Sequence, residues 1–572
     1  MRPLNKLSYP TLTVLAFLFI CALYLFALSG QLKPTPDSSD YIGSGYSLAS
    51  GNGYTFNNER SYYPPFNAIT LAVITKITMC LGLQSFIYLF MKIAMLGWLF
   101  LLALGTFVLA QRYLSKQLAV VATLLLLINI TIFQHAQYIL SDMLYSCLGI
   151  WAIIFFQKTT TLKFWIWGVI LAALALITRS VGVLLIVAII LWTISGKHAA
   201  LPLQKRLRRS FLLLPFSFIP YICWKVYLPT TQTSYVEYIR LYTGKDEIID
   251  IISARLIEQF PIVVTRLSQI MLNIESTTLP MAFNGTIVFL LLVAWSIYMV
   301  QKRSLAEYYV ACYLAIMCVW FEQGTRFYIP ILPILLIYVV GIVEKGITQF
   351  NQTTTKRQCI YSFMILVAIL PLVYPMKTLI DNDSPLSPLA ITRNGMLYPM
   401  LTVFMVVVLT IAYTLRINRS RIRTLSLYAY PLLYGGLFFL YATIFGLLEH
   451  RIVESRQPML TGYMPYYEIG ERLNNKNIPE PMLAANASIV HLSSQKIVKC
   501  PEMYPQATID QINNGTYATM LVIEALRIGD INKDLHNQFI QQQIALNPDR
   551  YELIATIDGN NKFKCYRYTH VK

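Results

Sequence analysis

Charged side chains are scarce in this sequence of 572 residues, of which 13% are charged and 56% are hydrophobic. Acidic residues are the scarcer sign, with 28 Asp and Glu against 46 Lys and Arg, for a net charge of +18. Soluble domains carry about 25% charged residues. The composition therefore argues against an ordinary soluble enzyme and indicates an integral membrane protein. Nucleic-acid binding is not predicted, because the basic residues concentrate in short loops between apolar runs.

Other features are also missing. No small-residue cleavage site follows the first apolar run, although Arg2 and Lys6 precede it, so this run is predicted to be a retained span and not a signal peptide. The cysteines and histidines show no metal-like spacing, which predicts no zinc site. Cys500 and Cys565 alone lie in a polar C-terminal region, where they could pair outside the cytoplasm. No Gly-rich nucleotide-binding loop is present.

Apolar runs long enough to cross a bilayer recur through most of the chain. About thirteen transmembrane helices are predicted, at 9–28, 86–110, 118–134, 142–157, 164–178, 181–196, 211–228, 284–301, 306–321, 327–344, 358–376, 397–415 and 425–447. Residues 66–83 are predicted to form a re-entrant or interfacial helix, because a span there would break the alternation of loop charge. The predicted fold class is a polytopic α-helical membrane protein with a transmembrane domain at 1–450.

Basic and acidic loops alternate along these spans. With the N-terminus in the cytoplasm, the inner loops carry Arg112, Lys116, Lys158, Lys163, Lys197, Lys205, Arg206, Arg208, Arg209, Lys302, Arg303, Lys345, Lys356, Arg357, Arg416, Arg419, Arg421 and Arg423. The outer loops carry Asp37, Asp40, Asp142, Glu237, Asp246, Glu247, Asp250, Glu322, Asp381 and Asp383. The positive-inside rule therefore predicts a multi-pass protein of the cell (inner) membrane with a cytoplasmic N-terminus and an extracytoplasmic C-terminal domain.

Two outer regions are too polar to span. Residues 229–283 form a long outer loop that mixes aromatic and charged residues, and this loop is either a lid or an amphipathic surface segment. Residues 451–572 have the composition of a soluble domain. Helices at 466–474 and 534–545, a strand at 517–525 and a terminal hairpin across 551–568 predict a small α/β domain. Its expected role is structural or the docking of an acceptor.

The first outer loop, residues 29–85, places carboxylates where the chain leaves the hydrocarbon. It contains Asp37-Ser-Ser-Asp40-Tyr41, then Gly51-Asn52-Gly53-Tyr54, then Tyr62-Tyr63-Pro64-Pro65-Phe66 at the start of the next apolar run. A carboxylate at that depth can meet both a lipid headgroup and water, which suits chemistry on a lipid-linked substrate. The alternative is that Asp37 and Asp40 only cap a juxtamembrane helix.

This loop resembles the first extracytoplasmic loop of the GT-C glycosyltransferases, and most closely the group of protein O-mannosyltransferases and lipid A aminoarabinose transferases. Their pattern is an acid four residues before an aromatic, a small-residue helix, a Gly turn and an aromatic-Pro-Pro re-entry. The resemblance implies that Asp37, and not Asp40, is the catalytic acid. Many members have Glu-Lys before the proline pair, where this chain has Tyr62-Tyr63. That departure weakens the transfer of substrate or metal ligands from the aminoarabinose branch.

Three more outer features resemble the family at corresponding places. They are Asp142 in a second acidic turn, Arg179 after the fifth span, and Arg326 in Arg-Phe-Tyr-Ile-Pro-Ile-Leu-Pro. If the spans bundle, these residues can converge with Asp37 around a donor. Asp40, Tyr41 and Tyr63 are further candidates for substrate binding. Structural alternatives stay open: Asp142 as a helix cap, Arg179 as a snorkelling helix end, Arg326 paired with Glu322, and Tyr63 as an interfacial anchor.

The resemblance implies transfer of a sugar from a polyprenyl-phosphate donor to a protein, lipid or glycan acceptor, by an inverting single displacement. Arginine suits the donor phosphate because it stays charged and binds two oxygens at once, and a carboxylate can take the proton of the attacking hydroxyl. No cofactor is expected with certainty, since the family implies a metal-independent or variable site and leaves a divalent metal open. The competing classes are a transporter or flippase of lipid-linked sugars and a non-enzymatic assembly protein; no inverted repeat supports the former.

Overall fold

The protein is described by a computed structural model over the following residues: 17–157 (without 19, 23, 26, 27, 29–31, 33, 58 and 62), 161–195, 202–227, 248–272, 281–320, 324–350, 464–499 (without 475, 477, 485 and 486), 517–525, 535–557 and 562–569. The predicted spans at 358–376, 397–415 and 425–447, together with Cys500, lie outside the described residues. The total of thirteen spans therefore stays a prediction.

The described chain is mostly helical. Its helices are α1 Pro36–Ala49, α2 Phe66–Cys80, α3 Ile87–Ala110, α4 Lys116–Leu127, α5 Ile130–His135, α6 Asp142–Gln157, α7 Leu162–Leu176, α8 Val183–Ser195, α9 Leu203–Tyr227, α10 Ile248–Leu272, α11 Met281–Gln301, α12 Leu305–Met317, α13 Leu332–Phe350, α14 Met464–Asn474, α15 Ala487–Ser494 and α16 Leu535–Leu546. The strands are β1 Thr55–Phe56, β2 Glu59–Arg60, β3 Met482–Ala484, β4 Val498–Lys499, β5 Thr519–Ala525, β6 Tyr551–Ile557 and β7 Lys562–Tyr568.

Three of the described helices are long and apolar enough to cross a membrane: Gln84–Ala110, Leu203–Tyr227 and Asn284–Gln301. Seven shorter apolar helices accompany them. The helices predicted at 86–110, 142–157, 164–178, 181–196 and 284–301 form within a few residues of their expected ends. The helix predicted at 211–228 starts earlier, at Leu203, because the basic segment before it contains good helix formers and no Gly or Pro.

Contacts divide the chain into two compact units, and unit 1 contains the described parts of Met1–Ala27, Met95–Ala136 and Ser141–Val453. The single span predicted at 118–134 is two helices here, α4 and α5. Asn129 separates them: its Oδ1 accepts from the Ile132 amide at 3.2 Å, and its Nδ2 donates to the Ile270 carbonyl at 2.8 Å. An Asn N-cap inside an apolar run starts a new helix, a signal that hydropathy alone overlooks.

Unit 1 also contains a buried carboxylate that the sequence analysis did not single out. Glu307 is fully buried and accepts hydrogen bonds from the hydroxyls of Tyr113 at 3.0 Å and Tyr338 at 3.1 Å. It also accepts from the Ser304 amide at 2.6 Å, which completes a capping box at the start of α12. Because a buried carboxylate is costly unless hydrogen-bonded, this network fixes α12 to α13 and to the turn before α4.

The outer loop predicted at 229–283 contains a long helix, α10, between segments outside the described residues. In its first half the apolar side chains of Ile252, Leu256 and Phe260 are exposed, whereas Arg255 and Gln259 are buried. This inside-out pattern is typical of a helix with one face toward lipid and a polar face toward protein. Whether this loop acts as the predicted lid or as the predicted amphipathic surface segment stays open.

Unit 2 consists of the described parts of Leu28–Ala94, Gln137–Leu140 and Glu454–Lys572. Within it, α1 and α2 pack closely against each other. A Cβ at Gly45 of α1 would lie 3.1 Å from Leu71 Cβ and 3.3 Å from the Ala68 carbonyl oxygen of α2. The α1 and α2 backbones can approach this closely because position 45 is glycine. Residues 66–80 form the helix that was predicted as re-entrant or interfacial.

A five-stranded sheet forms the core of the C-terminal part of unit 2, in the order β4-β3-β5-β7-β6. The β3 strand pairs parallel to β4 and β5, while β7 pairs antiparallel to β5 and β6. The predicted helices, strand and terminal hairpin are all present. Cys565 is buried in β7, and burial raises the pKa of its thiol to about 12. Its predicted disulfide partner, Cys500, lies outside the described residues.

Candidate functional site

The N-terminus of α1 positions Asp37. Thr35 is the N-cap and accepts from the Ser38 amide at 3.1 Å, while the Ser38 hydroxyl accepts in turn from the Thr35 amide at 2.8 Å. Pro36 occupies the first turn, where its fixed φ and missing amide proton suit a helix start. Asp37 follows in that turn, so its negative charge is favoured by the helix dipole. Thr35, and not Asp37 or Asp40, is therefore the N-cap of this helix.

Tyr63 contacts Asp37 directly. Its hydroxyl donates to Asp37 Oδ1 at 2.8 Å, and its ring lies 5.0 Å from the ring of Tyr41. The Tyr54 hydroxyl donates to the Tyr63 carbonyl at 2.7 Å and fixes the backbone of the re-entry. Asp37 and Tyr41 therefore share the α1 face toward Tyr63, as their spacing of four residues predicts. Asp40 is on the same helix and is buried, with 6% of its surface exposed.

If Asp37 is the catalytic acid that the family resemblance implies, replacing Tyr63 by phenylalanine should lower turnover about tenfold, because a hydrogen bond to a charged group contributes about 1.5–3 kcal/mol and here it also orients the Asp37 carboxylate. The phenylalanine ring keeps the contact with Tyr41, so donor KM should change less than about twofold. Steady-state kinetics of the variant would separate the two parameters. Tyr54→Phe is the milder control. A tenfold rise in KM with unchanged kcat would instead assign Tyr63 to substrate binding alone.

Asp142 and Arg179 form an ion pair in unit 1, with Arg179 Nη1 2.6 Å from Asp142 Oδ1. Asp142 is the first residue of α6 and is 2% exposed, whereas Arg179 is 19% exposed. Arg179 is held in an extended conformation between α7 and the short turn Ser180–Gly182. Gly182 packs against the Leu176 backbone, where a Cβ would lie 2.7 Å from Leu176 Cα. This tight turn directs Arg179 to the N-terminus of α6.

Arg326 belongs to the same cluster through Phe327. Both lie in the turn Thr325–Tyr328. The Arg326 guanidinium lies 4.9 Å from the centre of the Phe327 ring, and that of Arg179 lies 5.6 Å from the same centre. The Phe327 carbonyl accepts from the Tyr313 hydroxyl at 2.7 Å, which fixes the turn. Two guanidinium groups therefore lie beside one aromatic ring, and together with Asp142, the partner of Arg179, these side chains carry a formal charge of +1. Glu322, the alternative partner of Arg326, lies outside the described residues.

Aromatic residues beside this cluster were missed by the sequence analysis. The Tyr145 hydroxyl lies 3.0 Å from that of Tyr309 and donates to the Val181 carbonyl at 3.4 Å, next to the Arg179 turn. Tyr145 follows Asp142 by three residues, so both lie on one side of α6. That spacing is a signal in the sequence, but an apolar helix full of aromatics gives little reason to choose this tyrosine.

The Asp37–Tyr63 contact and the cluster around Phe327 offer complementary chemistry. Asp37 provides a carboxylate oriented by a tyrosine hydroxyl, which can accept a proton. The cluster of Asp142, Arg179 and Arg326 provides guanidinium groups that can bind phosphate oxygens. Within the described residues, no three His, Cys, Asp or Glu side chains come together as a metal site. The role of each residue in binding or catalysis stays a prediction.

No protein-family model matches this sequence, and no curated protein matches it either. Solved structures do. ArnT from Cupriavidus metallidurans bound to undecaprenyl phosphate is similar with a TM-score of 0.56 and 13% identity, over 98% of both chains. The oligosaccharyltransferase AglB from Archaeoglobus fulgidus, in complex with an inhibitory peptide and a dolichol-phosphate, is similar with a TM-score of 0.50 and 10% identity, over 98% of this chain and 75% of AglB. At these identities the likeness shows the fold, and it confirms the predicted resemblance to the GT-C fold.

Proposed function

We propose that this protein is a membrane glycosyltransferase that moves a sugar from a polyprenyl-phosphate donor to an acceptor on the extracytoplasmic side of the inner membrane. The observation that carries the proposal is the Asp37 carboxylate, held at the start of α1 by the Tyr63 hydroxyl at 2.8 Å in a chain with the GT-C fold. Two proteins that share the fold were solved with undecaprenyl phosphate and with dolichol-phosphate, which supports a lipid-linked donor.

In the proposed reaction, Asp37 is the general base. An acceptor hydroxyl oxygen attacks the anomeric carbon, its proton passes to Asp37, and the bond from that carbon to the phosphate oxygen breaks. Polyprenyl phosphate leaves with the bonding electrons. The single displacement inverts the configuration of the sugar. Each step needs only a positioned carboxylate and a stabilised leaving group, which together account for large rate enhancements.

The arginine cluster is proposed to bind the donor phosphate. Arg326 is the stronger candidate, because it belongs to the Arg-Phe-Tyr-Ile-Pro-Ile-Leu-Pro segment that resembles the family. The +1 charge of the cluster complements a phosphodiester, and the Phe327 ring gives the guanidinium groups an apolar support. Asp40 and Tyr41 are proposed to line the sugar side of the reaction, next to the base on α1. Membrane lipid is the expected solvent for the polyprenyl tail.

Reconstitution in proteoliposomes tests the function. A polyprenyl-phosphate sugar with a fluorescent tail is supplied on the outer side together with a pool of peptide, lipid A or glycan acceptors. A glycosyltransferase releases polyprenyl phosphate only when an acceptor is present, and the glycosidic product appears by mass spectrometry. Movement of intact donor between leaflets without its consumption would instead identify a flippase. The Asp37→Asn protein is the negative control for chemistry.

A further inference from the structure

The tip of the β1–β2 hairpin in the first loop contacts the C-terminal sheet of unit 2. Five residues join the hairpin tip to α1, α15 and β4, and we call them the hairpin clamp: Gly43 on α1, Phe56 and Asn57 at the hairpin tip, His491 on α15 and Val498 on β4. The first loop and the C-terminal region are far apart in sequence. Their contact therefore links the first loop, which carries Asp37, to the C-terminal region.

Phe56 lies between α1 and α15. Its ring is 4.7 Å from the His491 ring in an edge-to-face arrangement with an interplanar angle of 80°. On the other side it fits against Gly43, where an added Cβ would overlap the ring atoms. Position 43 is therefore glycine for a steric reason. In the middle of a helix, glycine otherwise lowers helix stability by about 1 kcal/mol relative to alanine. The hairpin is packed directly onto the helix that carries Asp37.

Asn57 completes the edge of the C-terminal sheet. Its Oδ1 accepts from the Val498 amide at 3.0 Å, and its Nδ2 donates to the Val498 carbonyl. The side chain thus makes the pair of hydrogen bonds that a neighbouring strand would make to β4, which is an edge strand. Asn57 has a positive φ of 54°, a conformation that asparagine tolerates better than most residues. Both the backbone and the side chain of Asn57 suit this contact.

His491 binds the backbone of the same residue. The Asn57 amide donates to His491 Nε2 at 3.2 Å, and His491 Nδ1 contacts the Lys496 carbonyl. An amide can only donate, so Nε2 must carry a lone pair, and the proton of the neutral ring must be on Nδ1, where a carbonyl accepts it. This arrangement requires a neutral imidazole. Protonation of Nε2 would set two N–H groups against each other and break the contact.

We propose that Asn57 and His491 are positioning residues for Asp37, which makes the C-terminal domain a working part of the transfer site. The inference rests on the proposed role of Asp37. Two paths connect the clamp to it: Phe56 packs on α1 at Gly43, and Tyr54, in the same segment, donates to the carbonyl of Tyr63, whose hydroxyl holds Asp37 at 2.8 Å. Loss of the clamp is expected to free the Asp37 carboxylate, while Arg326 and Arg179, the proposed phosphate-binding residues, keep their contacts within unit 1.

The clamp contains a histidine, the side chain that ordinarily titrates between about pH 5 and 8. The positioning of Asp37 by the clamp should therefore depend on pH. The helix α15 packs against α1, α14, β3 and β4. Described charged residues on or next to these elements are Asp37, Asp40, Glu471, Arg472, Lys476, Glu480 and Lys496, of which Lys496 and Glu480 pair at 3.6 Å. The contact is present at pH values where His491 is neutral and is lost as the pH falls and the ring takes a proton.

The test compares pH profiles of kcat and donor KM in proteoliposomes. The wild-type kcat should fall about tenfold as His491 becomes protonated, with KM changing less than about twofold. His491→Gln keeps an acceptor near the Nε2 position without a titrating group, so this decline should disappear. His491→Leu removes the acceptor, so kcat should be about tenfold lower at every pH. His135→Gln, on α5 in unit 1, is the matched control and should keep the wild-type profile.

Hydrogen–deuterium exchange gives a readout independent of activity: residues 54–63 should exchange faster in His491→Leu, and in the wild type at low pH, but not in His491→Gln. A wild-type kcat in His491→Leu, or an unchanged decline in His491→Gln, would overturn the inference. Activity that persists in Asp37→Asn would instead overturn the proposed function, whatever the His491 variants do. The two failures are therefore distinguishable.

Discussion

Asp37→Asn should lower sugar transfer by about 10²-fold or more, the usual contribution of a general base, while donor binding remains within about twofold of wild type. Asn has the shape of Asp, and its Oδ1 can still accept from the Tyr63 hydroxyl, which lies 2.8 Å from the native carboxylate. The variant therefore keeps the local structure and loses only the ability to accept a proton. Single-turnover transfer and equilibrium binding of a fluorescent donor measure the two quantities separately.

Asp40→Asn is the matched control for this experiment, because it makes the same chemical change three residues away on the same helix. Asp40 is 6% exposed, so its replacement is expected to affect stability more than chemistry. We expect less than about a tenfold loss of transfer. Equal losses in the two variants would indicate a pair of acids that act together, and full activity in Asp37→Asn would refute the mechanism.

Apolar runs, together with the polar residues that begin and end them, were sufficient to predict most helices. The segment 142–157 was predicted to the residue, because an acidic N-terminus precedes an unbroken apolar run and a polar segment follows it. Asn129 shows where this approach fails. Its side chain caps α5 and bonds to Ile270, and the second of these contacts is tertiary. A polar residue in an apolar run can be tolerated or can break a helix, and only its partners decide between the two.

The residues of the candidate site could be selected from the sequence, but the contacts between them could not be predicted. The spacing of Asp37 and Tyr41 on one helix face followed from helical periodicity, and both residues contact Tyr63. That Tyr63 would bond to the carboxylate could not be predicted, since the loop between them has no regular period. The pairing of Arg179 with Asp142 could not be predicted either. Each residue is a charge at a predicted outer helix end, and only the geometry of the Gly182 turn brings the two together.

The C-terminal region shows a third kind of limit. Its helices and strands follow local patterns, but the contact of β4 with Asn57 joins segments separated by most of the chain. Neither Asn57 nor His491 belongs to a recognisable motif. The signals that exist are weak when taken singly: a glycine in the middle of α1, an aromatic residue in a short hairpin, and an asparagine at a turn. Their meaning depends on a neighbour that the sequence does not identify.

The second large effect is expected at Arg326. Arg326→Ala should weaken donor binding about tenfold or more and reduce turnover, since it removes a charge proposed to bind the phosphate. Arg326→Lys should recover only part of the loss, because an ammonium group cannot make the two parallel hydrogen bonds of a guanidinium. The fold should stay intact, and thermal unfolding of the purified variant checks this. Unchanged donor affinity and turnover in Arg326→Ala would refute the assignment.

Arg179→Ala should give a different result, although the two guanidinium groups approach the same Phe327 ring. Asp142 is 2% exposed and pairs with Arg179 at 2.6 Å, so the single variant leaves a buried charge unpaired, which costs about 3–5 kcal/mol. The double variant Asp142→Leu, Arg179→Met removes both charges and should recover most of that stability. If its donor affinity also returns to wild type, Arg179 serves only the ion pair. We expect a remaining loss of a few fold, because a second guanidinium near the phosphate should strengthen binding even while it is shared with Asp142.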